Sequence, residues 1–330
     1  MSDAACVVDE PQIKAVVESV RQASLLSREI RNGMVEAIRK EDRSPVTVAD
    51  YAVQALIARF LKTHSPGVPL VAEENGAYLR TPEAKAVLEQ VTSWVKRRVA
   101  DANSDQILEW IDCGTSQPSE QFWTLDPIDG TKGFLRGNHY AVALALIERG
   151  VVLFSVIGCP TLDVGARRVE AVGTIAVAAK GRGAWRAALQ GDPEWHRLQV
   201  SSKADVSQAI LLQSLESQHT DQSETGKVMQ LLGITPPAIR MDSLAKFVVL
   251  AAGEGDILCR MPTADRPDYK ENIWDQASGV LLVTEAGGAV SDLDGRPLDF
   301  SRGKKLVDNR GVLSTNGHLH QRFLAALRAS

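Results

Sequence analysis

Apolar residues recur at helical spacing from residue 11 to 40 (Ile13, Val16, Val17, Val20, Ile30, Met34, Ile38), which predicts a long amphipathic helix. Thr47 opens a second helix with Val53, Leu56, Ile57, Phe60 and Leu61 facing inward, and Ser65-Pro66-Gly67 stops it. A short apolar strand over 68–72 runs into Glu73-Glu74-Asn75-Gly76, after which residues 82–99 return to helical period. The polar stretch 101–120 reads as a surface loop. The apolar run Phe122–Leu125 reads as a buried strand that should end at Pro127, which has no N–H to give a central ladder. Strands over 140–147, 151–157 and 172–179, separated by Gly-containing turns, predict an antiparallel sheet. From about residue 205 the pattern alternates: strand 209–213, helices 223–232 and 243–252, strand 256–260, helix 273–286. That alternation suggests a separate α/β layer, so the chain divides near residue 200 into an α+β part, 1–200, and an α/β part, 201–330.

Charge narrows the partners. A net charge of -4 over 330 residues gives no bulk attraction to nucleic acid or to an anionic membrane. An anionic ligand would have to be met by local positive charge or by bound cations. No apolar run approaches the roughly 18 residues of a membrane span. The start of the chain, with Asp3, Asp9 and Glu10, lacks the pattern of a signal or transit peptide. Cys6, Cys113, Cys159 and Cys259 are far apart and without a C-x-x-C, as expected for reduced cytoplasmic thiols.

The candidate chemistry lies in acids at the ends of apolar elements. Asp126 and Asp129 flank Pro127-Ile128 at the end of the predicted strand and are followed by Gly130-Thr131. A stiff turn there would aim two carboxylates at one spot, which suits a hard cation. Gly130 allows close backbone approach, Thr131 adds a hydroxyl, and a helix start after them would offer N–H groups to phosphate oxygens. Taken alone, the pair also fits an Asx-type turn. Asp50 stands in Thr47-Val48-Ala49-Asp50, which is equally the pattern of a capping box. Glu73 and Glu74 follow a buried strand, and Asp275 follows Trp274 at a helix start. Together these acids lie along the edge where α/β folds keep their sites. Several carboxylates without a soft ligand suit Mg²⁺, and two such ions about 3.5–4 Å apart can drive hydrolysis of a phosphate monoester. Rival motifs fail. Gly226-Lys227-Val228 lacks the rest of a P-loop, and Asp292-Leu293-Asp294-Gly295 reads as a hairpin turn rather than a calcium loop.

Val71-Ala72-Glu73-Glu74, then W-x-L-D-P-I-D-G-T over Trp123–Thr131, then Trp274-Asp275 with a helix running to Glu285-Ala286-Gly287-Gly288, resemble the signature of the lithium-sensitive, Mg²⁺-dependent phosphatases. That superfamily includes inositol monophosphatase, inositol polyphosphate 1-phosphatase and fructose-1,6-bisphosphatase. Ala72 departs from the usual Gly. Lys132-Gly133-Phe134-Leu135-Arg136-Gly137, Ile157-Gly158-Cys159-Pro160 and Asp242-Ser243-Leu244-Ala245-Lys246 are similar to the eukaryotic 3'(2'),5'-bisphosphate nucleotidases. Those enzymes remove the 3'-phosphate of 3'-phosphoadenosine 5'-phosphate (PAP) and can act on its sulfated form (PAPS).

The resemblance implies a layered α-β-α-β-α sugar-phosphatase fold, with an antiparallel first sheet and a more parallel second one. It implies two or three Mg²⁺ ions held by Glu73, Asp126, the carbonyl of Ile128, Asp129 and Asp275. Asp50 and Thr131 would orient and deprotonate the attacking water, with Glu74 behind the ligands. Gly130, Thr131 and Asp275 would also touch substrate, and His219, Ser243, Lys246 and Arg260 would contact the adenosine and its 5'-phosphate. The protein would be a cytoplasmic hydrolase of sulfate assimilation, as a monomer or a homodimer. An inositol polyphosphate 1-phosphatase or inositol monophosphatase is the alternative within the class. A metal- and nucleotide-binding sensor without turnover is the alternative outside it, and Asp50 and Thr131 argue against that one.

Overall fold

The structure is a computed structural model that describes residues 8, 10–33, 38–39, 45–164, 172–216 and 222–329. Helix α1 (Pro11–Gly33) buries Val17, Val20, Leu26 and Ile30. The described helix reaches Gly33, and Ile38–Arg39 (β1), expected within it, instead pairs antiparallel with Pro45–Val46 (β2). Asn32-Gly33 is a helix-ending signal that apolar spacing alone overlooks. Helix α2 (Val48–His64) starts at the expected capping box: Thr47 receives the Ala49 and Asp50 N–H groups, and Asp50 receives the Thr47 N–H.

Next come β3 (Leu70–Ala72), α3 (Lys85–Lys96) and α4 (Ser104–Asp112). Helix α4 lies where a loop was predicted. A reciprocal Asn103–Gln106 cap starts it, and Ile107, Trp110 and Ile111 bury its inner face. Its Asp, Gln and Glu residues are the exposed face of that helix rather than the mark of a loop.

Strands β4 (Gln121–Asp129), β5 (Ala141–Glu148), β6 (Val151–Cys159), β7 (Thr174–Ala179), β8 (Gly183–Ala188) and β9 (His196–Arg197) extend β3 into a seven-stranded sheet in chain order. Only the β3–β4 pair is parallel. The short helix α5 (Thr131–Arg136) leaves β4. The second sheet has five strands in the order β11 (Ile239–Arg240), β10 (Leu211–Gln213), β12 (Ile257–Arg260), β14 (Val312–Thr315), β13 (Ala289–Ser291). Its β10–β11 and β10–β12 pairs are parallel and β14 runs antiparallel to both neighbours, so the sheet is mixed and, as expected, more parallel than the first. Helices α6 (Gln222–Leu231), α7 (Ala245–Ala251), α8 (Ala277–Glu285) and α9 (His320–Ala329) complete the order.

Strand alternation fixes the layers. In β5, Val142 and Leu144 join the core formed with α1 and α2, whereas Ala141, Ala143 and Ala145 join the core formed with α7 and α8. In the second sheet Leu212 and Leu258 face that same helical pair, and Leu211, Ile257 and Leu313 face Val228 of α6 and Phe323 of α9. The result is the expected α-β-α-β-α stack, with α7 and α8 shared by both sheets. Among the described residues no helix is long and apolar enough to cross a membrane.

Candidate active site

Strand β4 does not end at Pro127. It continues to Asp129 across a register shift, in which Asp126 lies opposite Ala143 and Asp129 opposite Ala141. Three steps on β4 thus match two on β5, so one residue is extra. Side chains three apart on a regular strand leave opposite faces. The bulge adds half a pleat and returns both carboxylates to one side. Pro127 sits within it, where no ladder donor is required.

Asp275, in the turn before α8, completes the group: carboxylate oxygens of Asp126, Asp129 and Asp275 all lie within 4.8 Å of one another. Burial, then the charges of Glu73, Asp129, Asp275 and Asp50, push the Asp126 carboxyl well above the usual carboxylate range. Of the acids singled out in sequence, Asp126, Asp129 and Asp275 meet, with Glu73 and Asp50 near enough to act on Asp126. Asp126 Oδ1 is buried with no hydrogen-bond partner. Burial also raises Asp129, opposed by Lys246, the Leu244 N–H and Arg260. Asp275 is pushed up to about 7, mainly by burial and against the pull of Arg260.

The flanking residues are placed as follows. Asp50 is buried and Oδ2 accepts from Thr47 N (2.8 Å) and Thr47 Oγ1 (2.7 Å), so it is a capping residue and a neighbour of Asp126 at once. Thr131 Oγ1 donates to the Ile128 carbonyl at 3.2 Å. Helix α5, only six residues long, begins at Gly130 with φ 82°. Glu73 is exposed and Glu74 is buried. Ser243 holds φ 67°, a left-handed conformation that costs a non-glycine residue energy, directly against Gly130. Leu244 N–H donates to Asp129 Oδ2. Lys246 is buried, and Nζ donates to the carbonyls of Ser243 (2.7 Å) and Met241 (3.3 Å). Burial lowers it to about 8, with Asp129 pulling the other way. Arg260 grips Glu271 through Nε (3.2 Å) and Nη2 (2.9 Å). His219 lies outside the described residues.

Sequence reasoning passed over several neighbours. Glu271 is one, with no periodic signal to mark it. Asp242, part of a motif but given no role, takes Arg136 Nη2 at 3.1 Å, while Glu216 takes Arg136 Nη1 (2.6 Å) and Lys132 Nζ (3.0 Å). The i, i+4 pair Lys132 and Arg136 on α5 was the available clue. Asp242 also explains Gly133, where a Cβ would stand 2.4 Å from the His139 carbonyl oxygen and 2.7 Å from Asp242 Oδ2. Gly133→Ala is expected to cost about 1–3 kcal/mol as an overpacking substitution. Urea unfolding checks this, and an unchanged midpoint would mean the loop yields without strain.

The profile of the inositol monophosphatase family matches residues 8–330, the whole span of the layered fold and its acids. The chain belongs to the inositol monophosphatase family. Among relatives within that family, it is 39% identical over 334 residues to a 3'(2'),5'-bisphosphate nucleotidase of Oryza sativa, covering 96% of this chain and 92% of the relative. It is 35% identical over 332 residues to the 3'(2'),5'-bisphosphate nucleotidase of Schizosaccharomyces pombe, covering 95% and 94%. Among solved structures, an IMPase of Thermotoga maritima superposes with a TM-score of 0.67 at 19% identity, over 97% of this chain and 98% of that one. CysQ from Bacteroides thetaiotaomicron, a bacterial member of the inositol monophosphatase family, superposes with a TM-score of 0.60 at 19% identity, over 92% and 96%. At these identities the structures bear on the fold alone.

Proposed function

We propose that the chain is a Mg²⁺-dependent 3'(2'),5'-bisphosphate nucleotidase that hydrolyses PAP to AMP and phosphate and also accepts PAPS. The observation that carries this reading is the three-carboxylate cluster, in a chain 35–39% identical to relatives bearing that name. The residues fit a hard divalent cation. The donors are oxygens, Asp126 Oδ1 is an orphaned buried acceptor, and the mutual repulsion of the acids calls for positive charge.

In this reading Glu73, Asp126, Asp129, Asp275 and the Ile128 carbonyl hold two or three Mg²⁺ ions. Bound there, the ions would acidify water and offset phosphate charge. Asp50, locked by its two bonds from Thr47, receives the proton of the attacking water, and Thr131 Oγ1, whose hydrogen goes to the Ile128 carbonyl, orients that water by accepting from it. Residues 1–200, joined by Asp275, supply this chemistry. Residues 201–330 supply nucleotide recognition through His219, Ser243, Lys246 and Arg260, and Gly130 lets the ribose side approach the backbone. We place the enzyme in the cytoplasm, in keeping with the free thiols of Cys113, Cys159 and Cys259, and in sulfate assimilation.

Phosphate release from PAP and from inositol 1,4-bisphosphate, with Mg²⁺ and with EDTA, tests the assignment. Release from PAP that requires Mg²⁺ and falls when Li⁺ or Ca²⁺ is added is expected. Preference for inositol 1,4-bisphosphate would move the chain to the polyphosphate 1-phosphatase branch, and binding of PAP without release would make it a sensor.

A further inference from the structure

Gln54 lies one helical turn after Asp50 on α2, so the two side chains leave the same face of the helix. It is fully buried. Its amide makes three hydrogen bonds. Nε2 donates to the carbonyl oxygens of Glu74 and Ile111, each at 2.7 Å, and Oε1 accepts the Glu74 N–H at 3.1 Å. This pattern allows one amide orientation, because a flip would set the oxygen against two carbonyls and the NH₂ against an N–H.

One side chain thus binds both polar groups of the Glu74 main chain, as a neighbouring strand would, just where β3 has run out. On the near side, the Glu73 N–H donates to the Leu125 carbonyl of β4 at 3.3 Å. On the far side, the Gly76 N–H donates to Asp112 Oδ1 at 2.8 Å. The backbone flanking the Glu73 side chain is therefore fixed to β4 and to α2 together. Gly114 leaves room for the amide: a Cβ there would stand 2.5 Å from Gln54 Nε2.

We infer that Gln54 is a positioning residue that couples Glu73 to the helix carrying Asp50 and thereby sets the cation affinity of the acidic cluster. This rests on the reading of Glu73 as a cation ligand. A residue that merely satisfied a buried loop would affect stability alone, so the test separates cation binding from melting.

Mn²⁺ serves as probe, titrated by calorimetry without substrate. Gln54→Met keeps the length of the side chain and removes all three bonds. Leu61→Ala, at a buried position about two turns along the same helix, is the comparison variant destabilised by a cavity. Both are expected to melt lower, but only Gln54→Met should bind Mn²⁺ more weakly, within the roughly 10–100-fold loss typical of residues that orient a ligand. Gln54→Asn keeps an amide but draws it back from the Glu74 main chain, and is expected to weaken Mn²⁺ in the same direction. It decides the question if Gln54→Met does not fold. Unchanged affinity in the variant that folds, or an equal loss in Leu61→Ala, overturns the inference. No Mn²⁺ binding by the unsubstituted protein overturns it together with the metal-dependent activity. The expected losses without PAP hydrolysis would support the inference and sink only the choice of substrate.

Discussion

Asp126→Asn is expected to abolish turnover while making the cation-free protein more stable. Loss of a cation ligand removes several kcal/mol of charge stabilisation, and about 4 kcal/mol corresponds to a roughly thousandfold fall in kcat. The stability effect follows from the buried, mutually repelling acids. The folded-state pKa values of Asp126, Asp129 and Asp275 are all raised, the last to about 7. A raised carboxyl binds its proton more tightly in the folded chain than in the unfolded one. Its contribution is therefore fully present below the ordinary carboxylate range and is lost as pH rises through about 7 for Asp275. In EDTA, the unsubstituted protein should melt progressively lower between pH 4 and 8. Asp126→Asn should flatten that slope and melt higher at pH 8. Saturating Mg²⁺ should reverse the ranking, since a ligand at a hundred times its Kd adds about 2.7 kcal/mol to a protein that binds it. Thermal melts with EDTA and with Mg²⁺ at several pH values check this. An Asp126→Asn protein that melts lower in EDTA, or that turns over normally, would show that these carboxylates do not confront one another.

Arg260→Ala is expected to destabilise the protein by about 3–5 kcal/mol, the usual cost of stranding one partner of a buried ion pair. Resemblance to nucleotidases suggests a residue that grips the 5'-phosphate and acts on KM. The geometry adds a second duty. Arg260 and Glu271 side chains are 13% and 6% exposed, and Glu271 already accepts Gln276 Nε2 at 2.9 Å. Arg260 is also the principal charge restraining the rise of Asp275. Its removal leaves a buried carboxylate unpaired and drives Asp275 further toward the protonated form, so kcat should fall as well. Pairing Arg260→Met with Glu271→Gln is expected to restore most of the stability. In that double variant the ratio of KM for PAP to KM for 3'-AMP reports the phosphate contact free of the folding defect. A single Arg260→Ala within 1 kcal/mol of the unsubstituted protein by urea unfolding would remove the ion pair from the account.

The acids and the layers were legible for different reasons. Asp126 and Asp129 stood out because a proline and a glycine interrupt a strongly apolar run, and strands β3 to β7 of the first sheet because they are continuous apolar runs between turn residues, whereas β8 and β9 were not predicted. Helix α4 was hidden because it is short and its four apolar residues fall within five positions of a long polar stretch. Strands β13 and β14 were missed because, at three and four residues, each is too short to show a period. Glu271 and Gln54 are beyond any one-dimensional pattern: one lies in a loop 11 residues from its partner, the other is a polar residue in an apolar helix whose partners are 20 and 57 residues away. Such pairings depend on how the layers close.

The bulge between Asp126 and Asp129 makes the count of residues as decisive as their identity. With Pro127 and Ile128 both kept, pairing β4 in unbroken register with β5 would leave every acid in the chain, yet it would turn one of the two carboxylates toward the opposite core. The reading frame of the pleat, rather than any single side chain, is what this strand has to preserve.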